Sequence, residues 1–277
     1  GATSIDAVTN RLYVTSNKFP PPANKDFFIY DFNPPPLTSL TWIAELDLNE
    51  GLNDVDVADN YAYAVQNNNV NQLQVIDVTI PTNPSVIASL TLPNIIFTCS
   101  PVSDPCLAGQ SIFYYNGRVY IGTKYIAFGT PPLGNNEFHI YDVSTPTSPS
   151  WEGSVNINHN VNDIFVSGDF AYLATSDNNH ELMVININPS SSDYLKHPDD
   201  TGFGYDAPGS HDGSKVYLLG NKVYLGRIQN NPSSSDDFFI LNKDEVLDGG
   251  STSDGLVNSL DLGIQNNALV TGIIVRG

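Results

Sequence analysis

The sequence is poor in positive charge and in residues that favour helices. Only 11 Lys and Arg stand against 30 Asp and Glu, there is one Met, and the formal net charge is −19. A nucleic-acid partner needs a basic face to neutralise phosphates, and no basic cluster is present. Anionic lipid is disfavoured for the same reason. No stretch approaches the roughly 20 apolar residues of a membrane-spanning helix. No Met or signal-like segment opens the chain, and Gly1-Ala2-Thr3 reads as the start of a processed or excised piece. The acidity fits solubility in a salty or extracellular medium, or divalent-cation binding by some of the carboxylates.

Cysteine is scarce too, with two in the chain, Cys99 and Cys106, both inside the polar stretch TCSPVSDPC. A disulfide closing that short loop is the first expectation and implies an oxidising compartment. Two unrelated free thiols are the alternative. Two thiolates without a nearby His pair make half a metal site.

Thr, Val, Ile, Tyr and Phe are plentiful, and 21 Gly and 19 Pro punctuate them. This composition favours many short strands joined by turns. A phrase recurs along the chain. LQVIDVTIPTNPSVIASLTL from Leu73 is echoed by FHIYDVSTPTSPSWEGSVNI from Phe138. An apolar strand ends in Asp or Asn five times, at Asp31, Asp77, Asp142, Asn186 and Asn242. A Tyr inside an earlier apolar strand precedes each one, at Tyr13, Tyr63, Tyr120, Tyr172 and Tyr224. The gaps from Tyr to Asp or Asn are 18, 14, 22, 14 and 18, always even. Side chains keep their face of a strand only under shifts of two, so the two markers sit on paired strands of a hairpin. A further short strand precedes each Tyr strand (SIDAV, NDVDVA, SIFYY, NDIFVS, SKVYLL) and leaves through Asn, Asp or Gly turn residues.

Each unit is therefore four antiparallel strands, a to d, and such units at about 40–50 residues are blades of an all-β β-propeller. The phrase LQVIDVTIPTNPSVIASLTL resembles the LVIVD repeat, a propeller-forming repeat of bacterial and archaeal surface proteins. The match is good in the second, third and fourth units and weaker in the first and fifth. The resemblance implies architecture and a surface or extracellular setting, and it implies no common chemistry. The units run over about 1–50, 51–108, 109–158, 159–209 and 210–263 of one domain. The tail 264–277 contains TGIIVRG, which parallels NDIFVSG at Asn162–Gly168 and reads as a strand a. A five-bladed ring closed by this tail against Ile5–Val8 is the favoured reading, and six blades is its rival.

Asp77 and Asp142 are expected to cap the turn that follows them, since an Asx side chain accepts backbone N–H groups there. Asn in two units suits an acceptor and not an ionised catalyst. The long insertions, the cysteines and four of the five His fall on the b–c and d–a loops, which leave one side of the blades. Binding residues concentrate on such loops. The most loaded is HPDDTGFGYDAPGSHDGS, with His197, Asp199, Asp200, Tyr205, Asp206, His211 and Asp212. Its carboxylates Asp199, Asp200, Asp206 and Asp212 are candidates for calcium. Zinc through His197 and His211 is the weaker alternative.

The sequence has no nucleophile elbow. Asp6, Asp54, Asp56 and Asp163 lie on or beside strand a, and facing carboxylates there would serve a glycoside hydrolase or lyase. Asp54 and Asp163 are equivalent in two repeats, which favours a structural role. Tyr61, Tyr114, Tyr115 and Tyr125 could stack on a sugar or peptide, or simply pack between blades. The expectation is a secreted or surface-displayed interaction module, more readily a binder than an enzyme. It would hold a protein or glycan, or neighbouring subunits of a surface assembly, through its long-loop face. An enzyme with carboxylates at the channel mouth and an ion-stabilised propeller without a ligand are the alternatives.

Overall fold

The computed structural model describes residues 2–17, 25–32, 39–48, 50–68, 70–93, 108–125, 136–228, 236–250, 254–262 and 270–273. Within them are five four-stranded antiparallel sheets, each built from consecutive strands. The first sheet is β1 (Ala2–Val8), β2 (Arg11–Ser16), β3 (Phe27–Phe32) and β4 (Leu40–Leu46). The second is β5 (Leu52–Ala58), β6 (Tyr61–Gln66), β7 (Leu73–Asp77) and β8 (Ser85–Leu90). The third is β9 (Gly109–Tyr115), β10 (Arg118–Thr123), β11 (Phe138–Asp142) and β12 (Ser150–Val155). The fourth is β13 (Val161–Ser167), β14 (Phe170–Thr175), β15 (Leu182–Asn186) and β16 (Gly204–Tyr205). The fifth is β17 (Gly213–Leu219), β18 (Lys222–Arg227), β19 (Phe238–Asn242) and β20 (Leu256–Leu260). This is the expected five-blade β-propeller fold class. The chain divides into two compact units, Gly1–Gly153 and Ser154–Gly277.

The even spacing of the markers has its predicted cause. Tyr13, Tyr63, Tyr120, Tyr172 and Tyr224 pair with Ile29, Val75, Ile140, Val184 and Ile240, each two residues before the Asp or Asn. The a–b turns need a left-handed residue first. Thr9, Asp59, Asn116, Gly168 and Gly220 take φ of 61°, 55°, 48°, 60° and 58°. Thr9 is the β-branched exception, and it carries strain that Asn or Gly avoids.

The repeat Asp is a turn cap. Asp77 Oδ1 accepts the Thr79 N–H and Asp142 Oδ1 the Ser144 N–H, both at 2.8 Å. Asn186 and Asn242 accept the Asn188 and Asp244 N–H groups at 2.9 and 3.1 Å. Hydrogen bonds from Thr79 and Ser144 hold the Asp77 and Asp142 carboxyls below their ordinary pKa.

Apolar cores lie between successive sheets. Tyr13, Phe27 and Ile29 of the first sheet pack on Val55, Val57, Ala62, Ala64 and Ile76 of the second. Tyr63, Val65, Leu73 and Val75 of the second pack on Ile112, Val119, Ile121 and Tyr141 of the third. In the other unit, Tyr172, Leu182 and Val184 pack on Val216, Leu218, Val223, Leu225 and Leu241. In these three interfaces the earlier sheet contributes the face that carries the repeat Tyr and the later sheet the face that receives it.

Strand a is an edge, and its polar groups need partners. Side chains of the preceding strand a supply them. Asp54 Oδ2 accepts the Ile112 N–H at 2.9 Å and Asp56 Oδ2 the Tyr114 N–H at 2.6 Å. Asp6 Oδ2 accepts the Val57 N–H at 2.7 Å, and Asp163 Oδ2 the Val216 N–H at 2.9 Å. The residue before Asp54 or Asp163 donates in the other direction: Asn53 Nδ2 to the Gly109 carbonyl and Asn162 Nδ2 to the Gly213 carbonyl, both at 2.7 Å. Thr3 Oγ1 does the same to the Leu52 carbonyl at 2.6 Å. The Asn-Asp pair is thus a two-point staple between neighbouring sheets. At the Asp56 register position the fourth and fifth sheets carry Phe165 and Tyr217, which meet edge to face at 5.1 Å.

The Asp77 cap predicts a clear contrast. Asp77→Ala should lower stability by ~0.5–2 kcal/mol, as loss of other Asx caps does, while Asp77→Asn should be nearly silent in a thermal melt. An Asn variant as poor as the Ala variant would assign the charge a role of its own.

The staple predicts a pH dependence. Burial raises the Asp56 pKa to about 7, against the Tyr114 bond and with Asp6 and Asp54 adding like charge. An acid raised in the folded state binds a proton on folding. Its contribution is therefore most favourable below the unfolded value of about 4 and declines as pH rises to about 7. Asp56→Asn keeps the acceptor and removes the charge. Its melting temperature should exceed the parent's at pH 8, and the gain should vanish at pH 4.

Candidate functional site

The carboxylates that would serve a glycosidase have structural tasks. Asp6, Asp54, Asp56 and Asp163 each hold the backbone of the next sheet. Lys215 Nζ sits 3.1 Å from Asp163 Oδ1. Tyr114 stacks on Tyr63 at 5.4 Å, in the packing role foreseen for it. Tyr61, Tyr115 and Tyr125 are partly exposed. Cys99 and Cys106 lie outside the described residues.

The chemically loaded stretch His197–Ser214 is more structured than the expected loop. His197 caps a one-turn helix α1 (Pro198–Thr201), its Nδ1 accepting the Asp199 N–H at 3.2 Å. Gly202 ends the turn at φ 72°. The chain then adds the two-residue β16 to β15, Tyr205 opposite Leu182. Tyr205 is 2% exposed and packs 5.9 Å from Phe239, so it belongs to the core and not to a binding face. His211 is also buried, whereas Asp199 and Asp200 are exposed.

These residues join others that the sequence did not single out. Asp177, in the b–c loop of the fourth sheet, has its Oδ1 3.6 Å from His159 Nε2 and its Oδ2 3.3 Å from His180 Nδ1. His180 Nδ1 is 4.0 Å from Asp199, and His197 Nδ1 is 3.3 Å from Asp199. The loop end of the fourth sheet thus gathers His159, His180 and His197 around Asp177 and Asp199. The bond to Asp177 raises the His180 pKa against burial. Burial opposes the Asp177 charge, but His180, the Asn179 N–H and His159 together hold its pKa down. Burial raises the pKa of Asp206 and of Asp212. The fifth histidine, His139, is fully buried on β11 with its pKa pushed down to about 4 by desolvation. Among the described residues no group of three or more His, Cys, Asp or Glu is placed to hold a metal ion, and Asp199, Asp200, Asp206 and Asp212 form no such group.

Below this end lies a second repeat that sequence reading missed. The residue before strand c is Asp26, Gln72, Glu137, Glu181 and Asp237 in turn, each no more than 2% exposed. Four of them accept the N–H two residues past strand d: Asp26 from Leu48 at 3.0 Å, Gln72 from Leu92 at 3.1 Å, Glu181 from Ala207 at 2.8 Å and Asp237 from Leu262 at 3.0 Å. All five accept at their carbonyl from the last residue of strand b, at 2.8–2.9 Å. The signal was an acid or amide directly before each apolar c strand. Glu181 also meets Arg227 at 3.4 Å. Burial pushes Glu181 up to about 8 and Arg227 down, while Arg227 donates to the Pro208 and Asp236 carbonyls and lies 4.8 Å over the Phe239 ring.

Residues 52–91, 124–157 and 159–196 match the LVIVD repeat model. LVIVD repeats thus occupy three stretches of the chain. The matched stretches fall in the second, third and fourth units, where the resemblance was read as good. No curated protein matches the sequence. Among solved structures, a candidate 6-phosphogluconolactonase from Bacteroides uniformis is similar over 95% of this chain and 72% of its own, at 9% identity and a TM-score of 0.64. The designed protein Ika8 is similar over 94% of this chain, at 9% identity and a TM-score of 0.58. A nidogen–laminin complex is similar over 97% of this chain and 82% of its own, at 10% identity and a TM-score of 0.54. The chain spans 61% of the length of Ika8. At these identities the likeness is one of fold. No helix among the described residues is long and apolar enough to cross a membrane.

The Asp177 pair predicts a titration. His180, raised by Asp177, contributes stability at low pH that is lost as pH rises through its folded pKa. Asp177, lowered, contributes above its unfolded pKa and loses that contribution as pH falls. Asp177→Asn should move the His180 ring titration, followed by NMR, to lower pH. An unmoved titration would show that the pair is not formed in solution.

Proposed function

We propose that this LVIVD-repeat propeller is a secreted or cell-surface interaction module that binds a protein partner through its loop ends, above all that of the fourth sheet. The observation that supports this most is the division of labour among the carboxylates. Those on strand a and before strand c are used to hold sheets together, while Asp199 and Asp200, with His180 and His197 beside them, face outward on a capped turn. Loops on a rigid scaffold are where recognition concentrates. A net charge of −19 favours a partner with a basic surface. The similar nidogen structure is of a complex with laminin, a precedent for the fold in protein recognition and no more. A surface or extracellular location accords with the acidity and with the cysteine pair, and a glycan is the second ligand class to test.

The test is binding of the purified protein to arrays of basic peptides and of glycans. Asp199→Asn with Asp200→Asn should weaken binding at least tenfold, while Thr145→Ala at the opposite end of the third sheet should leave it unchanged. Binding indifferent to the loop-end changes would overturn the assignment, and cleavage of an arrayed glycan would replace it with an enzyme.

A further inference from the structure

The carbonyl two residues before strand c accepts a side chain in four of the sheets. In the fourth and fifth it takes the last residue of strand b. Thr175 Oγ1 donates to the His180 carbonyl at 2.7 Å, and Arg227 Nη2 to the Asp236 carbonyl at 2.6 Å. In the second and third it takes the second residue of strand c instead. Gln74 Nε2 donates to the Asn71 carbonyl at 2.8 Å, and His139 Nε2 to the Asn136 carbonyl at 2.7 Å. The last residue of strand b, Gln66 or Thr123, must then find its partners elsewhere.

Gln66 has the reach to do so. Its Oε1 accepts Gln74 Nε2 at 2.6 Å, and its Nε2 donates to the Leu48 carbonyl of the preceding unit at 2.9 Å. Thr123 stands at the same place with a shorter side chain. Gln74 pairs with Ala64 and His139 with Ile121, each two residues before the end of strand b. Thr123 and His139 therefore share a face as Gln66 and Gln74 do. Both are 0% exposed, and among the described residues Thr123 Oγ1 and His139 Nδ1 have no hydrogen-bond partner.

The chemistry of the two atoms is fixed. A carbonyl only accepts, so His139 Nε2 carries the hydrogen and Nδ1 presents a lone pair. Desolvation keeps the ring neutral. A third group completes the set. Leu92 lies two residues past β8, as Leu48 lies two past β4. Gln72 holds the Leu92 N–H as Asp26 holds that of Leu48. The Leu92 carbonyl is thus the counterpart of the one that Gln66 reaches, and Leu92 packs with Ile112 and Ile121 of the third sheet.

We propose that the third sheet binds one buried water molecule where the second sheet uses the Gln66 amide. The water donates to His139 Nδ1 and to the Leu92 carbonyl and accepts the Thr123 hydroxyl. Two acceptors and one hydroxyl select this ligand, since buried water commonly makes about three such bonds. An anion would face a lone pair and a carbonyl oxygen. A metal ion would find one nitrogen and two neutral oxygens, too few for a stable site. The water links the third sheet to the end of the second as Gln66 links the second to the end of the first. All its partners lie in the first compact unit, apart from the loop end of the fourth sheet, so the site and the functional reading can fail separately.

The test is a high-resolution crystal structure of the full chain, read with a long-range proton–nitrogen NMR spectrum of the histidine rings. An ordered solvent peak should lie about 2.7–3.2 Å from His139 Nδ1, Thr123 Oγ1 and the Leu92 carbonyl oxygen. The spectrum should show the His139 hydrogen on Nε2 and a hydrogen-bonded, unprotonated Nδ1. A Thr123 hydroxyl donating directly to Nδ1 with no solvent peak would overturn the proposal, and so would a hydrogen on Nδ1. Thr123→Gln with His139→Gln installs the pair of the second sheet. Its crystal structure should show the introduced amide on the Leu92 carbonyl and the solvent peak gone. A peak that persists beside that amide would overturn the equivalence. Should the double variant fail to fold, the parent crystal structure and spectrum decide the question alone.

Discussion

Every sheet of this protein begins with an edge, and the satisfaction of that edge organises the molecule. The N–H groups of Val57, Ile112, Tyr114 and Val216 point from a strand a that has no further strand to pair with, and each finds a carboxylate of the preceding sheet. A buried N–H left alone costs about 1–3 kcal/mol. The solution has its own cost, because it places Asp6, Asp54 and Asp56 close enough to repel and burial raises Asp56 further. The fourth and fifth sheets place an aromatic pair, Phe165 and Tyr217, at the Asp56 position and carry no carboxylate there. One register position thus accepts two chemistries, a carboxylate that binds the backbone of the next sheet and a ring that packs on the next sheet's ring.

The periodic side chains made the architecture legible. Even gaps between Tyr and Asp carried the strand pairing, and Asn at 186 and 242 marked the turn cap as an acceptor and not a catalyst. Equivalence of Asp54 and Asp163 pointed to structure, and the bonds to Ile112 and Val216 bear that out. The acid or amide before strand c was equally periodic. It escaped notice because Asp, Gln and Glu differ in length and name while presenting one acceptor oxygen to one N–H.

The candidate site was less legible, for physical reasons. His197, Asp199 and Asp200 were visible as a polar run. Asp177 and His180 lie 20 and 17 residues upstream of His197, and only the fold brings the b–c loop beside α1. Tyr205 read as a surface residue because the glycines around it resemble a loop. In the structure that glycine-rich stretch lets a two-residue strand lie against β15: Gly204 takes φ 146°, and a Cβ there would meet the Leu182 carbonyl at 2.4 Å. Composition describes a segment's average, whereas a single tyrosine in a strand follows its register.

The carbonyl of the residue before strand c closes each b–c loop with the same bond, from Ser16, Gln66, Thr123, Thr175 and Arg227. The spans so closed run from 6 residues in the second and fourth sheets to 14 in the third. Closure entropy grows only with the logarithm of length, about 0.6 kcal/mol per doubling. The clasp therefore makes loop length and loop sequence nearly free variables of the fold. Such a molecule can acquire a new specificity by exchanging what lies between two fixed points, and its descendants can diverge in what they hold while remaining the same scaffold.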